Sequence, residues 1–164
     1  MKKLIPLLVI TASGCGEVEP LKITAEHSPY IGYWFFEEIK TTDNSIYIKR
    51  VFLDLGADSE AAYSSCFVSK SWHQVAFDTS VRSSSVSFPD AVITQLSDKL
   101  ITLTMSISVF DFDYDVEITE PPYQYQQQWY IDIDETPLRK MTTEEMTRVS
   151  SVTCPDSEQL ELKT

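Results

Sequence analysis

The clearest pattern of apolar and polar positions along the chain lies in residues 100–118, LITLTMSISVFDFDYDVEI. From Ile101 to Val109 every second residue is apolar, and the residues between are Thr and Ser. The apolar series then shifts by one position and runs from Phe110 to Ile118, alternating with acidic residues. A period of two predicts β structure with one buried and one wet face. The shift after Val109 predicts either a β-bulge in one bent strand or a tight turn between two strands.

Weaker alternation of the same kind fills most of the remaining chain. It runs through residues 34–39, 46–55, 61–68, 72–77, 81–88, 91–96 and 123–133. Clusters of turn-forming residues at 41–45, 56–60, 78–80, 97–99 and 120–122 separate these segments. Many short strands with regular turn signals predict an all-β domain built as a single antiparallel barrel or sandwich.

Two further features refine this interpretation. Gly32 and Gly56 are the glycines of the chain body, so we expect few two-residue turns that need a positive φ. Thr142 and Glu145 have the spacing of a capping box, which predicts one short C-terminal helix over about residues 143–150.

The N-terminal segment has the layout of a secretory signal peptide. Lys2 and Lys3 precede an apolar run at residues 4–10, and small residues follow at 12–14. The run is about half of the roughly 20 apolar residues that a membrane-spanning helix needs. Cleavage after Gly14 by a general signal peptidase is one interpretation, and lipidation of Cys15 is the other.

The sequence Ala12-Ser13-Gly14-Cys15 resembles the lipobox of bacterial lipoproteins, although that family usually has Leu where this chain has Ala12. The resemblance implies that the mature chain begins at Cys15, which carries a palmitate-containing lipid anchor. Position 16 is Gly rather than the Asp that tends to retain such proteins in the inner membrane. The resemblance therefore implies the outer membrane, with the protein facing the periplasm.

These observations predict four segments along the chain. They are a signal peptide at 1–14, a lipid-attached tether at 15–29, a β-domain at 30–154 and a flexible tail at 155–164. Prolines and charges at 16–29 favour a tether over a helix or strand. The size of the mature chain is typical of one domain.

The chain has three cysteines, Cys15, Cys66 and Cys154. If Cys15 carries lipid, the other two form an even pair, and exported compartments are oxidising. We therefore predict a disulfide between Cys66 and Cys154, which closes a long loop and contributes about 4 kcal/mol on the chain-entropy model. Two unpaired buried cysteines are the alternative.

The tripeptide Gly32-Tyr33-Trp34 at the start of the first predicted strand resembles the Gly-x-Trp motif of lipocalins. The resemblance implies a closed antiparallel barrel with an apolar ligand cavity. It also implies that Trp34 packs at the bottom of the barrel against a basic residue near the end of the domain. Arg139 and Arg148 are the candidates for that basic residue.

Charge narrows the choice of partners. The formal net charge of the chain is −12, and it becomes −14 when Lys2 and Lys3 leave with the signal peptide. Nucleic acid and anionic lipid head groups would be repelled, whereas a basic protein partner or a cation is compatible.

No catalytic, cofactor or metal motif stands out. His27 and His73 have no ligands at metal-binding spacing, and no nucleophile elbow or phosphate-binding loop is present. Two acidic clusters are candidate calcium sites, Asp111 with Asp113 and Asp115, and Asp54 with Asp58 and Glu60. A solvated charged face is the preferred interpretation for both, because neither follows a calcium-loop pattern. We therefore expect no enzyme, cofactor or metal.

Two functions remain open for this predicted lipoprotein. The first is binding of a small apolar ligand inside a lipocalin-like barrel. The second is binding of a protein, as an envelope assembly factor or as an acidic inhibitor or immunity protein of a basic enzyme. An apolar cavity lined by aromatic residues would favour the first, and a filled core with an exposed apolar patch beside acidic residues would favour the second.

Overall fold

A computed structural model of the chain describes residues 18–73, residues 78–149 and residue 160. Eight strands follow one another, and a short helix comes last. They are β1 (Gly32–Thr41), β2 (Ser45–Leu55), β3 (Glu60–His73), β4 (Asp78–Leu96), β5 (Leu100–Ile107), β6 (Phe110–Tyr125), β7 (Gln128–Ile133), β8 (Thr136–Met141) and α1 (Thr143–Val149).

The sheet is one closed antiparallel barrel. Each strand pairs with the next along the chain, and β8 pairs with β1 to complete the ring. This confirms the prediction of a single all-β domain with one short C-terminal helix, and it decides for the barrel over the sandwich. The capping box of α1 is also present, with the Thr142 N–H bonded to Glu145 Oε2 (2.9 Å) and the Glu145 N–H bonded to Thr142 Oγ1 (3.2 Å).

Of the two alternatives for the shift after Val109, the turn between two strands is confirmed, and it links β5 to β6. Several other predicted element boundaries were wrong. Residues 78–80 and 120–122, predicted as turns, lie inside β4 and β6, and β6 accommodates its two prolines through register shifts. Pairs of predicted segments merge in β3 and in β4. The segment 123–133 divides into the end of β6, a turn and β7, and β8 was missed because TPLRKM lacks a clear alternation.

The expectation of few two-residue turns with positive φ was also wrong. Gln126 and Gln127 link β6 to β7 with φ values of 48° and 66°, and Asp134 and Glu135 link β7 to β8 with 47° and 61°. The chain reverses direction with this left-handed geometry at residues other than glycine, which costs conformational energy.

The two ends of the barrel differ, and we name them by their construction. The closed end is where β1 begins and where residues 18–31 lie against the barrel. The Leu21 N–H donates to the Ile93 carbonyl (2.7 Å), the Ser59 hydroxyl donates to the Leu21 carbonyl, and the Tyr30 hydroxyl donates to Asp98 (2.6 Å). Residues from Leu21 onward, assigned from sequence to the tether, are therefore held on the barrel. The open end is the opposite one, where β1 ends and the turn between β5 and β6 lies.

The hydrophobic core fills the part of the barrel next to the closed end. Trp34, Leu53, Ile93, Ile101, Leu103, Ile131 and Leu138 are all fully buried there. Leu21 and Ile23 of the N-terminal segment pack against the same cluster. Since all these side chains share the inward phase of their strands, burial of apolar surface drives closure of the barrel at this end.

The outer face of the barrel carries a second, smaller cluster. Ile48 and Val68 lie on the outer phase of β2 and β3, and Leu160 buries them, with its carbonyl accepting a bond from Lys70 Nζ (2.7 Å). Cys66 lies on the same outer phase and takes part in a disulfide. Cys15 and Cys154 both lie outside the described residues, as does the rest of the predicted tail, so the pairing with Cys154 stays a prediction.

Candidate functional site

The Gly-x-Trp tripeptide lies at the closed end, where the geometry explains its spacing. The Trp34 Nε1–H donates to the Tyr30 carbonyl (2.7 Å), and Lys140 Nζ lies 5.0 Å from the centroid of the indole ring. Gly32 has a φ of 133°, and a Cβ there would come within 2.7 Å of Lys140 Cε. Burial lowers the pKa of Lys140, because desolvation disfavours the charged ammonium group.

The basic residue on Trp34 is therefore Lys140, and the two predicted candidates were wrong. Arg139 faces outward and pairs with Glu145 (2.8 Å), and its guanidinium lowers the pKa of that carboxyl to about 2. Arg148 pairs with Glu144 within α1 (3.1 Å). Lys140 shares the inward phase of β8 with buried Leu138, and this phase is the signal in the sequence that points to Lys140. The signal can be used only once β8 has been recognised as a strand.

The open end presents apolar side chains to solvent. Phe110 and Phe112 lie on the same phase of β6 as buried Val116, yet they are 66% and 49% exposed. Ile107 on β5 is 53% exposed and Val109 in the connecting turn is 70% exposed. We call these four residues the apolar tip. Ile107, Phe110 and Phe112 lie on the inward phase of their strands, and Val109 lies in the turn. None of the four is covered by another described residue.

A row of carboxylates runs along the outer face of β6, opposite to the face that carries Phe110 and Phe112. Thr102 donates to Asp115 (2.8 Å), Thr104 donates to Asp113 (2.6 Å) and Ser106 donates to Asp111 (2.6 Å). We call these three pairs the aspartate ladder. Each carboxylate accepts a hydrogen bond from a hydroxyl group of the neighbouring strand β5, and this bond fixes the position of the carboxylate. No group of three or more metal-ligating side chains occurs among the described residues.

The strands β4 and β5 separate towards the open end, and this separation leaves a gap in the wall of the barrel. Their described pairing runs from Leu96 with Ile101 to Val92 with Thr104 and stops there. From Val92 back to Asp78, the strand β3 is the only partner of β4 among the described residues. An edge of β4 is therefore unpaired among the described residues, and such an edge presents N–H and C=O groups for strand pairing.

Aromatic rings fill the base of this gap. Tyr114 stacks on Phe88 (centroids 4.6 Å apart) and on Tyr63 (5.3 Å). Burial raises the pKa of Tyr63 to about 12, because desolvation disfavours the phenolate. These rings mark the boundary between the filled core and the open part of the barrel.

The surface of the barrel contains hollows whose lining residues are described. One, of about 250 Å³, lies in the wall of the open part between Tyr47, Lys49 and Phe67, where Lys49 Nζ donates to Thr136 Oγ1 (2.6 Å). Another, of about 630 Å³, is a groove on the outer face at the closed end that includes Asp54, Asp58 and Glu60. Burial, with Asp58 and Glu60 nearby, raises the pKa of Asp54 to about 6.

The two histidines have local bonding roles. His27 Nδ1 bonds to the Thr24 N–H (3.1 Å) in the short 3-10 helix Ala25–His27, and His73 Nε2 bonds to the Ser80 hydroxyl (2.8 Å) between β3 and β4.

No family model, curated protein or solved structure matches this chain. Among the described residues, no helix is both long enough and apolar enough to cross a membrane. The two ends of the barrel are therefore the basis for inferring a function.

Proposed function

We propose that this chain is a non-catalytic lipoprotein of the bacterial envelope that binds another protein at the open end of its barrel. The observation that carries the proposal is the exposed apolar tip, on a hairpin whose other face carries the aspartate ladder. Contiguous exposed apolar side chains are typical of protein interaction sites.

The distribution of packing favours a protein over a small apolar ligand. The inward side chains at the closed end are fully buried against one another, which leaves that part of the barrel filled. At the open end the same phase is exposed at Ile107, Phe110 and Phe112. Apolar side chains that project beyond the packed wall offer an enclosed ligand little burial but suit a second protein surface.

The charges of the open end indicate a basic partner. Three carboxylates of the ladder lie on one face of the hairpin that carries the apolar tip, and the net charge of the whole chain is strongly negative. A second copy of this chain would bring like charges together, whereas a basic partner would be attracted. The unpaired edge of β4 adds backbone groups with which an extended segment of that partner can pair.

The anchoring part of the proposal comes from the N-terminal sequence. We propose that Cys15 carries the lipid and holds the barrel at the outer membrane, facing the periplasm, and that Cys66 pairs with Cys154. The arrangement of Gly32, Trp34 and Lys140 supports a lipocalin-like barrel, because the resemblance implies a basic residue on that tryptophan.

A second candidate function rests on the hollow between Tyr47, Lys49 and Phe67. Aromatic rings 5.1 Å apart and one ammonium group line this space, which suits a small amphipathic ligand with an acidic head. Native mass spectrometry of the purified chain tests this candidate, and a bound small molecule lost in the variant Lys49→Ala would favour it.

Site-specific photo-crosslinking in a Gram-negative host tests the protein-binding proposal. A photoreactive phenylalanine analogue replaces Val109 at the open end, and Ala57 at the closed end in a matched control. We expect a discrete protein adduct from position 109 that disappears in the double variant Asp111→Asn, Asp113→Asn. Equal adducts from both positions, or none from position 109, would contradict the proposal.

Intact mass and membrane fractionation test the anchor independently. Wild type should carry the lipid mass and sediment with membranes, and Cys15→Ser should be soluble. Soluble, unlipidated wild-type protein would show that the lipobox interpretation is wrong.

A further inference from the structure

The hairpin between β6 and β7 has a composition unlike that of the other turns at the closed end. Its tip reads Tyr125-Gln126-Gln127-Gln128-Trp129, and residues 121–131 contain no charged side chain. Tyr125 is 59% exposed and Trp129 is 40% exposed. The neighbouring turns at this end carry carboxylates, namely Asp58 between β2 and β3, with Glu60 at the start of β3, and Asp98 between β4 and β5.

Hydrogen bonding fixes this hairpin at the closed end. Gln128 Nε2 donates to the Lys140 carbonyl (2.7 Å), and the Lys140 side chain lies over Trp34 and donates to the Pro29 carbonyl (3.3 Å). The tip therefore lies beside the N-terminal segment that covers the closed end. Two prolines with register shifts separate it from the regular part of β6.

The N-terminal segment brings the attachment point to the same end. Leu21 is hydrogen-bonded to the barrel at Ile93, and it follows Cys15 by six residues. Six residues span at most about 20 Å when fully extended. A lipid on Cys15 would therefore hold the closed end, with its β6–β7 tip, close to the membrane surface.

We propose that Tyr125 and Trp129 enter the interfacial region of the bilayer and give the protein a second membrane contact besides its lipid. This inference rests on the lipid anchor of the proposed function. Tyr and Trp favour the membrane–water interface because one end of each ring system is apolar and the other forms hydrogen bonds. Neutral glutamines avoid the repulsion that the acidic turns would meet at an anionic surface.

The second contact has a consequence for orientation. A lipid alone leaves the barrel free to tilt on its tether, whereas two contacts at one end direct the opposite end away from the membrane. The apolar tip and the aspartate ladder then face the periplasm, where a partner can reach them.

Fluorescence quenching of the lipidated full-length protein tests this inference. The protein is reconstituted in vesicles of phosphatidylethanolamine and phosphatidylcholine, with brominated phosphatidylcholine as the quencher. We expect brominated lipid to quench part of the tryptophan emission and iodide in the aqueous phase to leave that part unaffected. Trp129→Phe should remove most of the lipid-quenched emission, and the matched control Trp72→Phe, near the open end, should retain it.

The outcomes separate failure of this inference from failure of the anchor. A lipidated chain in which iodide quenches Trp129 and brominated lipid does not would overturn the membrane contact alone. A chain without lipid mass would overturn the contact and the anchor together. Circular dichroism of Trp129→Phe verifies that the substitution leaves the barrel folded.

Discussion

Trp34 at the closed end and Phe110 at the open end both lie on the inward phase of their strands, but their environments are opposite. Trp34 is fully buried, and Phe110 is 66% exposed. The N-terminal segment and Lys140 cover the first, whereas the separation of β4 from β5 leaves the second without a described neighbour across the barrel. The phase of a strand determines whether a side chain points into the barrel. Whether that side chain is buried depends on the other segments that pack against it.

Two carboxylates show the same contrast in electrostatics. Asp54 at the closed end is partly buried among Asp58 and Glu60, and its pKa rises to about 6. Asp113 near the open end is exposed and accepts a hydroxyl from Thr104 (2.6 Å). Burial at the closed end therefore has an electrostatic cost at Asp54, whereas the carboxylates of the aspartate ladder lie in contact with solvent.

The largest test of this comparison replaces one aromatic ring at each end by alanine. Trp34→Ala should lower the free energy of unfolding by about 3–5 kcal/mol, because it removes a fully buried side chain. Phe110→Ala should change it by less than about 0.5 kcal/mol, since the ring is largely exposed. Urea denaturation measures both, and equal losses would show that the open end is packed.

The next test concerns the close approach of Lys140 to Gly32. Gly32→Ala should cost about 1–3 kcal/mol, because its φ of 133° disfavours a side chain and the Cβ would meet Lys140. The same substitution in a Lys140→Ala background should cost less, since the steric part is then absent. Identical costs in the two backgrounds would exclude an energetic contribution from the lysine contact.

A third test uses pH to compare the two carboxylates. Folding raises the pKa of Asp54, so its favourable contribution is present below pH 4 and is lost as the pH rises through about 6. Asp54→Asn should therefore raise Tm by roughly 3 °C at pH 7.5 and leave it unchanged at pH 3.5. Asp113→Asn is the matched control, and an equal rise in that variant would contradict burial as the cause.

The smallest expected effect concerns turns at the two ends. Gln127 has a φ of 66° at the closed end, so Gln127→Gly should stabilise the protein by about 0.5–1 kcal/mol. Asp43, in the turn between β1 and β2 at the open end, has no positive φ, and Asp43→Gly should be neutral or destabilising. Thermal denaturation of both variants tests the prediction, which fails if Gln127→Gly lowers Tm.

Much of the fold could be predicted from local patterns, and the failures have physical causes. The alternation in residues 100–118 predicted strands, and Thr142 with Glu145 predicted the helix. Strand β8 escaped because Pro137, Arg139 and Lys140 obscure its period, and pairing with β1 and β7 stabilises it. Lys140, the lysine on Trp34, was not predicted for the same reason, because its position depends on the pairing of β8 with β1 and β7.

The sequence by itself determined the strand content, the inward phase and the acidic charge, because these depend on composition and on neighbouring residues. Tertiary structure decided the closure into a barrel, the choice of Lys140 over Arg139 as partner of Trp34, and the difference between the two ends. Those features depend on which distant segments meet. Contacts of that kind follow from the register of pairing around the whole ring, which no local pattern encodes.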